Sequence, residues 1–299
     1  MATPLLLLAL TLAGADADTS VRLPHDGAVE IDTRVRDVRL RIGTSDVVAI
    51  SGAQAELDGG TLQISGDDRR NRSTGPIEVV VPSWARVEIS SIGGNLTLTG
   101  TPAQLHAETV NGFIHVTGGS GSVELETVAG GVVVTGFHGT RLSIDATGDN
   151  VSVTDATGTL EVDNVNGDVI LRSIHATAVS ASTINGVMQF EGTFAPSGSY
   201  DFNSQNGDVT FWLPGDVSAR MRISTMNGEL TTEIPATTNG MQAPSAAPAA
   251  AKARGKDKGH GHDDSDGERS FTVVYGSGAA RVSIDAFNGN IIVKRSGRE

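Results

Sequence analysis

The sequence predicts an all-β protein, specifically a parallel β-solenoid (a single-stranded β-helix) built of coils of 18–21 residues. Two observations support this prediction: a glycine-centred unit recurs at nearly constant spacing, and apolar residues alternate with other residues on both sides of it. The composition agrees, with 37 glycines, 4% aromatic residues and no long amphipathic helical pattern in 299 residues. A stacked array of similar coils is therefore expected.

The repeated unit reads φ-x-φ-x-small-φ-Asn-Gly-x-φ-x-φ, in which φ is apolar. Its glycine position falls at 94, 112, 130, 149, 167, 186, 207, 228 and 289, with Asp149 substituting once. Successive spacings are 18, 18, 19, 18, 19, 21, 21 and 61. Such a regular period is typical of coils that stack on one another.

Three columns of the alignment are apolar or aromatic and are predicted to face inward. Seven residues before the glycine stand Val87, Leu105, Val123, Leu142, Leu160, Val179, Tyr200, Met221 and Val282. Five before it stand Ile89, Ala107, Leu125, Ile144, Val162, Ala181, Phe202, Ile223 and Ile284. Two after it stand Leu96, Ile114, Val132, Val151, Val169, Met188, Val209, Leu230 and Ile291. Period-two alternation predicts two short strands per coil, with the Asn-Gly pair at the corner between them.

The Asn-Gly corner carries a structural prediction. Asparagine and glycine both tolerate a positive φ, which a tight corner demands. Stacking would place the asparagine side chains ~4.8 Å apart, where their amides can hydrogen-bond along the array. The predicted ladder is Asn111, Asn166, Asn185, Asn206, Asn227 and Asn288. The alternative for each pair taken alone is an ordinary hairpin turn, but constant spacing favours coils.

A fourth column, three residues before the glycine, is small or hydroxylic throughout. It comprises Ser91, Thr109, Thr127, Ala146, Asn164, Thr183, Ser204, Thr225 and Ala286. The interior is narrow near a corner, and a hydroxyl there can bond to the neighbouring coil. We interpret this column as structural.

Two stretches resemble a known family. One is Val79-Val80-Val81-Pro82 leading into Val87-x-Ile89-x-x-x-Gly93-Gly94, and the other is Phe211-Trp212-Leu213-Pro214 leading into Met221-x-Ile223-x-x-Met226-Asn227-Gly228. These features are similar to the bacterial β-strand-repeat family of unknown function labelled "putative adhesin". The resemblance covers most of residues 28–235 and resumes at 271. It implies a β-repeat fold and supplies no catalytic residues.

The predicted domain plan has four parts. Residues 1–17 are a signal peptide, since the apolar run 5–13 is too short to span a bilayer and small residues suited to cleavage follow it. An N-terminal core helix is the alternative. Residues 18–235 form the solenoid, 236–270 form a disordered low-complexity insertion, and 271–299 form a final coil that caps the array.

Composition excludes several classes of protein. A net charge of −13 without a basic patch argues against nucleic acid as a partner. The absence of cysteine excludes disulfides, thiolate chemistry and the lipid-modified cysteine of a lipoprotein. No segment after the signal is apolar enough for a transmembrane anchor.

Outward positions supply the candidate sites. Four residues before the glycine, Glu108, Glu126, Asp145 and Asp163 form an acidic stripe near Glu124 and Glu161. This stripe is a candidate divalent-cation site, or else a solvated face that maintains solubility. Phe113, Val133, Ile170 and Val187 form a candidate partner face, or else scattered surface apolar residues. His260 and His262 offer metal ligands, but lie in the low-complexity stretch.

The function predicted is that of an exported, non-catalytic binding or scaffolding module, adhesin-like, in the periplasm or outside the cell. Its partner would be an envelope glycan or protein, and it needs no cofactor. The alternatives are an envelope-stress sensing component and a polysaccharide-acting β-helix enzyme. The enzyme is disfavoured, because coils of 18–19 residues leave no room for cleft-forming loops.

Overall fold

The computed structural model describes residues 19–66, 75–239 and 269–297. The predicted signal peptide and residues 240–268 of the predicted insertion lie outside these ranges. All regular structure in the described residues is β-strand. None of those residues belongs to a helix that could cross a membrane. The described residues form two compact units, one that ends at residue 128 and one that begins at residue 129.

The strands of the first unit are β1 (Thr19–Arg22), β2 (Ala28–Thr33), β3 (Val38–Gly43), β4 (Val47–Ser51), β5 (Gln54–Asp58), β6 (Thr61–Ser65), β7 (Ile77–Pro82), β8 (Arg86–Ser91), β9 (Leu96–Thr99), β10 (Gln104–Thr109), β11 (Ile114–Thr117) and β12 (Ser122–Thr127). They pair in two parallel rows, β6–β2–β8–β10–β12 and β7–β3–β9–β11. Three further strands close one end by antiparallel pairing, with β5 on β6, β4 on β7 and β1 on β4. Such strands end the row of parallel edges.

The first unit also depends on one buried arginine, which the sequence did not single out. Arg36 is 7% exposed, and its guanidinium donates to the carbonyl oxygens of Gly52 at 2.5 Å and Gly75 at 2.6 Å. It also reaches the Gly66 oxygen at 3.3 Å. One side chain thereby holds backbone from several turns, and these hydrogen bonds compensate for the cost of burying its charge.

The strands of the second unit are β13 (Val132–Ala146), β14 (Val151–Asn166), β15 (Val169–Asn185), β16 (Met188–Gly192), β17 (Ser199–Asn206), β18 (Val209–Leu213), β19 (Ala219–Thr225), β20 (Leu230–Thr232), β21 (Thr237–Asn239), β22 (Arg269–Tyr275), β23 (Ala280–Asn288) and β24 (Ile291–Arg295). Strands β13, β14 and β15 pair in parallel, followed by β16 and β18 on one side and β17 on the other. Beyond them the spatial order departs from the chain order.

The last coil lies inside the array. Strand β23 pairs in parallel with β17 and with β19, and β24 pairs in parallel with β18 and with β20. The prediction that residues 271–299 form the capping coil is therefore wrong. The end is closed instead by antiparallel pairing of β22 with β19 and of β21 with β22. Strand β22 runs opposite to β19 and is itself paired with β21, so this end does not present another parallel coil position.

The predicted inward columns are confirmed by burial. Every residue of the columns seven before, five before and three before the glycine is buried. In the column two after it, Leu230 alone is half-buried. Within the first unit Leu105 lies opposite Val87 and Val123, and within the second Leu142 lies opposite Leu160. Equivalent side chains of successive coils thus pack over one another and exclude water from a narrow interior.

Two strands per coil is an incomplete description of residues 132–185. Strands β13, β14 and β15 run for 15, 16 and 17 residues around a third side, on which Phe137, Ala156 and Ile174 are in register and buried. The chain turns into this side six residues after the glycine position. Asp155 and Ser173 adopt φ of 56° and 53° there. Non-glycine residues adopt the left-handed conformation at this corner, whereas at the Asn-Gly corner positive φ is found at glycines, with 141° at Gly167 and 152° at Gly207.

The asparagines of the Asn-Gly corner do not adopt the positive φ that the sequence predicted for them. Among the described residues other than glycine, positive φ occurs at Asp155, Ser173 and Ser197, so the corner asparagines do not use it. The glycines are required by close approach of backbone. A Cβ atom on Gly186 would lie 2.0 Å from the Gly167 oxygen, and one on Gly207 would lie 1.9 Å from the Gly186 oxygen. Only glycine lets successive coils stack this closely.

Candidate functional site

The asparagines of the second unit form a continuous row of side-chain amide hydrogen bonds. Asn185 donates to Asn166 at 3.0 Å and Asn206 donates to Asn185 at 3.1 Å. Asn288 donates to Asn206 at 3.1 Å, and Asn227 donates to Asn288 at 2.9 Å. In the first unit Asn111 donates to the backbone oxygen of Ile92 at 3.4 Å. The amides are engaged with one another, so this row stabilises the coil stack.

A second row, which the sequence reasoning missed, lies directly after the glycine. The Asp168 carboxylate accepts a hydrogen bond from the Val187 backbone N–H at 2.8 Å, and Asp208 accepts one from Asn290 at 2.7 Å. Asn95 accepts one from Phe113 in the first unit at 3.0 Å. The signal was the recurrence of aspartate or asparagine after Asn-Gly. These side chains satisfy corner backbone groups, so they too have a structural role.

The small inward column completes the corner. The hydroxyls of Thr109 and Thr127 donate to the glycine-position carbonyls of the preceding coil at 3.3 Å, and Thr183 does the same at 3.2 Å. Asn164 donates its amide to the Asp149 oxygen at 3.0 Å. Asn164 Oδ1 and Thr225 Oγ1 of this column are buried without a hydrogen-bond partner. The column is closed to solvent, so ligand binding is better sought on the outward rows.

Each unit contains two members of the predicted acidic stripe. Glu108 and Glu126 are in register on β10 and β12, and Asp145 and Asp163 are in register on β13 and β14. Asp163 accepts a hydrogen bond from the Ser182 hydroxyl. The nearby Glu161 forms an ion pair with Arg141. Asp163 of the second pair is therefore already engaged by a neutral hydroxyl group.

The first pair borders a cluster that contains a histidine. His106, Glu124 and Glu126 each offer one ligand atom, and these atoms lie within 4.8 Å of one another. His106 Nδ1 is 3.4 Å from Glu124 Oε2, and this nitrogen is shielded from solvent without a hydrogen bond. Among the described residues, this is the group of three such side chains whose spacing suits a metal ion. Glu126 belongs to it, whereas Glu108, Asp145 and Asp163 do not.

The predicted partner face does not form one apolar surface. Val133 and Ile170 share a row on the second unit, but Ser152 lies between them and Gln189 follows. Val187 lies directly after its glycine, at the Asn-Gly corner. Phe113 holds the equivalent corner position on the first unit and is 56% exposed.

The exposed apolar side chains concentrate instead two residues before the glycine. In the first unit this row includes Ile92, Val110 and Val128, which are 53%, 43% and 53% exposed. In the second unit it includes Ile184 and Phe287, which are 41% and 49% exposed. The repeat formula already marks this position as apolar, but periodicity cannot show that it faces outward at the corner.

In the second unit this row forms one wall of an open groove of about 680 Å³, called here the Phe287 groove. That wall comprises Ile184, Gln205, Phe287 and Met226. The opposite wall is the row four before the glycine, which is in register across β15, β17, β23 and β19 and comprises Ser182, Asn203, Asp285 and Ser224. Ser224, at one end of this row, is buried. The small column three before the glycine forms the floor, which is why a groove exists between the two rows. Asp285 is the one ionisable residue among those that line it.

The sequence of residues 25–254 matches the family model described as Toastrack DUF4097. The chain belongs to the Toastrack family. This agrees with the β-strand-repeat resemblance in the sequence. No curated protein matches the Toastrack chain significantly.

Three solved structures resemble the Toastrack chain. A "Putative lipid binding protein" from Parabacteroides distasonis shares 13% identity, covers 67% of this chain and 90% of its own, and has a TM-score of 0.42. A "putative adhesin" from Bacteroides fragilis shares 13% identity, covers 94% and 98%, and has a TM-score of 0.38. A "putative cell adhesion protein" from Clostridium sporogenes shares 11% identity, covers 94% and 99%, and has a TM-score of 0.26. All three TM-scores lie below 0.5, so the likeness carries no argument about ligands.

Two tyrosines of the Toastrack chain have altered acidity for structural reasons. Burial raises the pKa of Tyr200, whose hydroxyl donates to the Ala176 oxygen at 2.8 Å and accepts from the Ala195 N–H at 2.7 Å. Burial also raises the pKa of Tyr275, whose hydroxyl forms a hydrogen bond with the Thr232 hydroxyl at an oxygen–oxygen distance of 2.9 Å. Both phenols are packed in the interior and play no part in the candidate sites.

Proposed function

We propose that this Toastrack protein is an exported, non-catalytic β-solenoid of 18–21-residue coils that acts as an envelope or cell-surface binding and scaffolding module. The parallel, in-register pairing of successive repeats supports the solenoid type. The leader-like sequence of residues 1–17 supports export to the periplasm or the cell exterior.

The observation that carries the proposal is the lining of the Phe287 groove. Exposed Phe287 and Ile184 offer apolar surface, while Asn203, Gln205 and Ser182 offer uncharged donors and acceptors. Sugar rings present apolar C–H faces and hydroxyl edges, which match these two kinds of side chain. The ligand proposed for this groove is therefore a mostly uncharged glycan chain.

The shape of the groove supports an extended ligand. Its walls run across four adjacent parallel strands, β15, β17, β23 and β19. Three strand spacings of ~4.8 Å give a length of about 14 Å along the array. A polymer lying along the stack would contact equivalent side chains of several coils.

The same lining supports a non-catalytic role. Hydrolysis of a glycosidic bond ordinarily needs two carboxyl groups on opposite sides of the bond. Asp285 is the single carboxylate among the groove-lining residues, and it lies on a wall of an open surface. The groove is thus suited to holding a glycan without cleaving it.

The test is a glycan and peptidoglycan-fragment array probed with the wild-type protein, the Phe287→Ala variant and the Asn203→Ala variant. We expect specific hits on wild type that weaken by about tenfold in each variant, a loss of about 1.4 kcal/mol. Phe113→Ala, which removes a comparably exposed ring from the first unit, should leave the hits unchanged. An array without hits would contradict glycan binding and favour a protein partner.

A further inference from the structure

We propose that His106, Glu124 and Glu126 form a binding site for a divalent transition-metal cation of the Zn²⁺ class on the first unit. This site differs from the predicted acidic stripe in including an imidazole and in excluding Asp145 and Asp163. It also lies apart in sequence from the Phe287 groove and does not depend on the function proposed for that groove.

Strand pairing brings the three ligands together. His106 on β10 is directly opposite Glu124 on β12, and Glu126 is two residues further along β12 on the same outward face. Their ligand atoms lie within 4.8 Å of one another. Metal–ligand bonds of about 2.0–2.2 Å place two ligand atoms of the same ion at most about 4.4 Å apart. Side-chain rotations alone can close the remaining difference.

The imidazole provides an observation independent of the acidic residues. His106 Nδ1 is shielded from solvent, yet it has no hydrogen-bond partner and lies 3.4 Å from Glu124 Oε2. The His106 side chain is 33% exposed, but its Nδ1 is shielded and faces the Glu124 carboxylate without forming a hydrogen bond. Coordination of a cation between this nitrogen and the carboxylates would satisfy it.

The surroundings favour positive charge. Glu88 lies in register beside His106 on the side opposite Glu124, and Glu108 lies in register beside Glu126. Like charges on adjacent strands repel one another across ~4.8 Å. Arg86, two residues before Glu88 on β8, donates a hydrogen bond to the neutral side chain of Gln104 at 2.8 Å. A bound dication would relieve the repulsion among the carboxylates.

The ligand set indicates the class of metal. Two carboxylates with one imidazole suit Zn²⁺ and its transition-metal neighbours, whereas Ca²⁺ takes six to eight oxygen ligands. The three side chains would leave at least one coordination position open. Glu124 is on the exposed surface, so that position could be filled by water or by a donor atom of a bound partner.

The experiment is a calorimetric titration of the folded, full chain with ZnCl₂. The background is His260→Ala/His262→Ala, because those two histidines offer competing ligands. In this background we expect one Zn²⁺ per chain, with affinity falling at least tenfold on His106→Ala and on Glu126→Gln. Asp163→Asn is the matched control, since it removes an equivalent outward carboxylate from the second unit and should leave the affinity unchanged. Circular dichroism melts of all variants establish that each is folded.

A spectroscopic measurement distinguishes a specific site from general attraction. The imidazole resonances of His106 should shift on Zn²⁺ addition, and CaCl₂ at the same concentration should leave them in place. No Zn²⁺ binding in the background chain would overturn the proposal. Binding that is insensitive to His106→Ala would overturn it as well, as would equal loss of affinity in Asp163→Asn.

Discussion

Asn288 donates its side-chain amide to Asn206 at 3.1 Å, although the two residues lie 82 positions apart in the chain. Asn227 in turn donates to Asn288 at 2.9 Å. The last coil therefore separates two coils that are consecutive in sequence. The corner glycine of the last coil, Gly289, is packed as closely against backbone as Gly186 and Gly207 are, since a Cβ on Gly289 would lie 2.0 Å from the Gly207 oxygen.

The middle of the asparagine row should be more sensitive than an isolated member. Replacing Asn288 by alanine removes two side-chain hydrogen bonds, so we expect the free energy of unfolding to fall by about 1–2 kcal/mol. Asn111→Ala removes one long bond of 3.4 Å to a backbone oxygen and should cost less than about 0.5 kcal/mol. Chemical denaturation of both variants measures the difference. Equal losses would mean that the hydrogen bonds between asparagine side chains stabilise the fold no more than the single bond of Asn111 does.

Gly186 should tolerate no side chain, although Asp149 occupies the equivalent position in another coil. A Cβ at Gly186 would lie 2.0 Å from a backbone oxygen that cannot rotate away, so Gly186→Ala should cost at least about 3 kcal/mol or prevent folding. Gly75 has open space around its Cβ position, and Gly75→Ala should have almost no effect. Thermal melts of the two variants provide the comparison. A melting temperature near wild type for Gly186→Ala would refute the close stacking of these corners.

At Ser173, in the corner that leads into the third side of the coil, glycine should stabilise the protein. Ser173 adopts φ of 53°, a conformation that costs roughly 1 kcal/mol or more for a residue with a Cβ. Ser173→Gly should therefore raise the free energy of unfolding by about 0.5–1 kcal/mol. The control is Ser180→Gly, within the extended part of the same strand, which should lower it by a similar amount. Destabilisation by both substitutions would argue against the left-handed corner.

Alkaline pH should destabilise the protein partly through Tyr200. Burial raises the pKa of this phenol above its ordinary value of 10.0, so between the two values the unfolded chain loses a proton that the folded chain keeps. Stability is thus lost as the pH rises above about 10. Tyr200→Phe should be less stable at neutral pH, because its two hydrogen bonds are gone, but should decline less steeply above pH 10. Urea titrations at pH 8 and pH 11 compare the slopes, and parallel slopes would contradict this assignment.

Columns of side chains were predictable from the sequence, because burial against neighbouring coils restricts residue type at every repeat. Leu105 and Val123 are apolar for the same reason that they lie opposite each other. The order of the coils was not predictable. Tyr200, Val282 and Met221 occupy equivalent positions, and no feature of these three residues indicates that Val282 lies between the other two.

The candidate sites were less accessible to sequence reasoning. Outward rows are not restricted by packing, so the alignment identifies their residues without showing which side chains meet. Phe287 and Asn203 came together through the unexpected insertion of β23 beside β17. His106 was visible in the sequence, but its shielded nitrogen beside Glu124 is a property of the paired strands.

The in-register array with an inserted last coil is the claim on which the Phe287 groove depends, and engineered disulfides test it most directly. The chain has no native cysteine, so pairs can be introduced without interference. Asp201→Cys with Ser283→Cys, and Arg222→Cys with Ser283→Cys, are each in register on adjacent strands, where a separation of ~4.8 Å suits a disulfide. Both pairs should cross-link on mild oxidation, while Asp201→Cys with Arg222→Cys, about 9.6 Å apart across β23, should stay reduced. Cross-linking of the 201–222 pair with none at 201–283 would contradict the account.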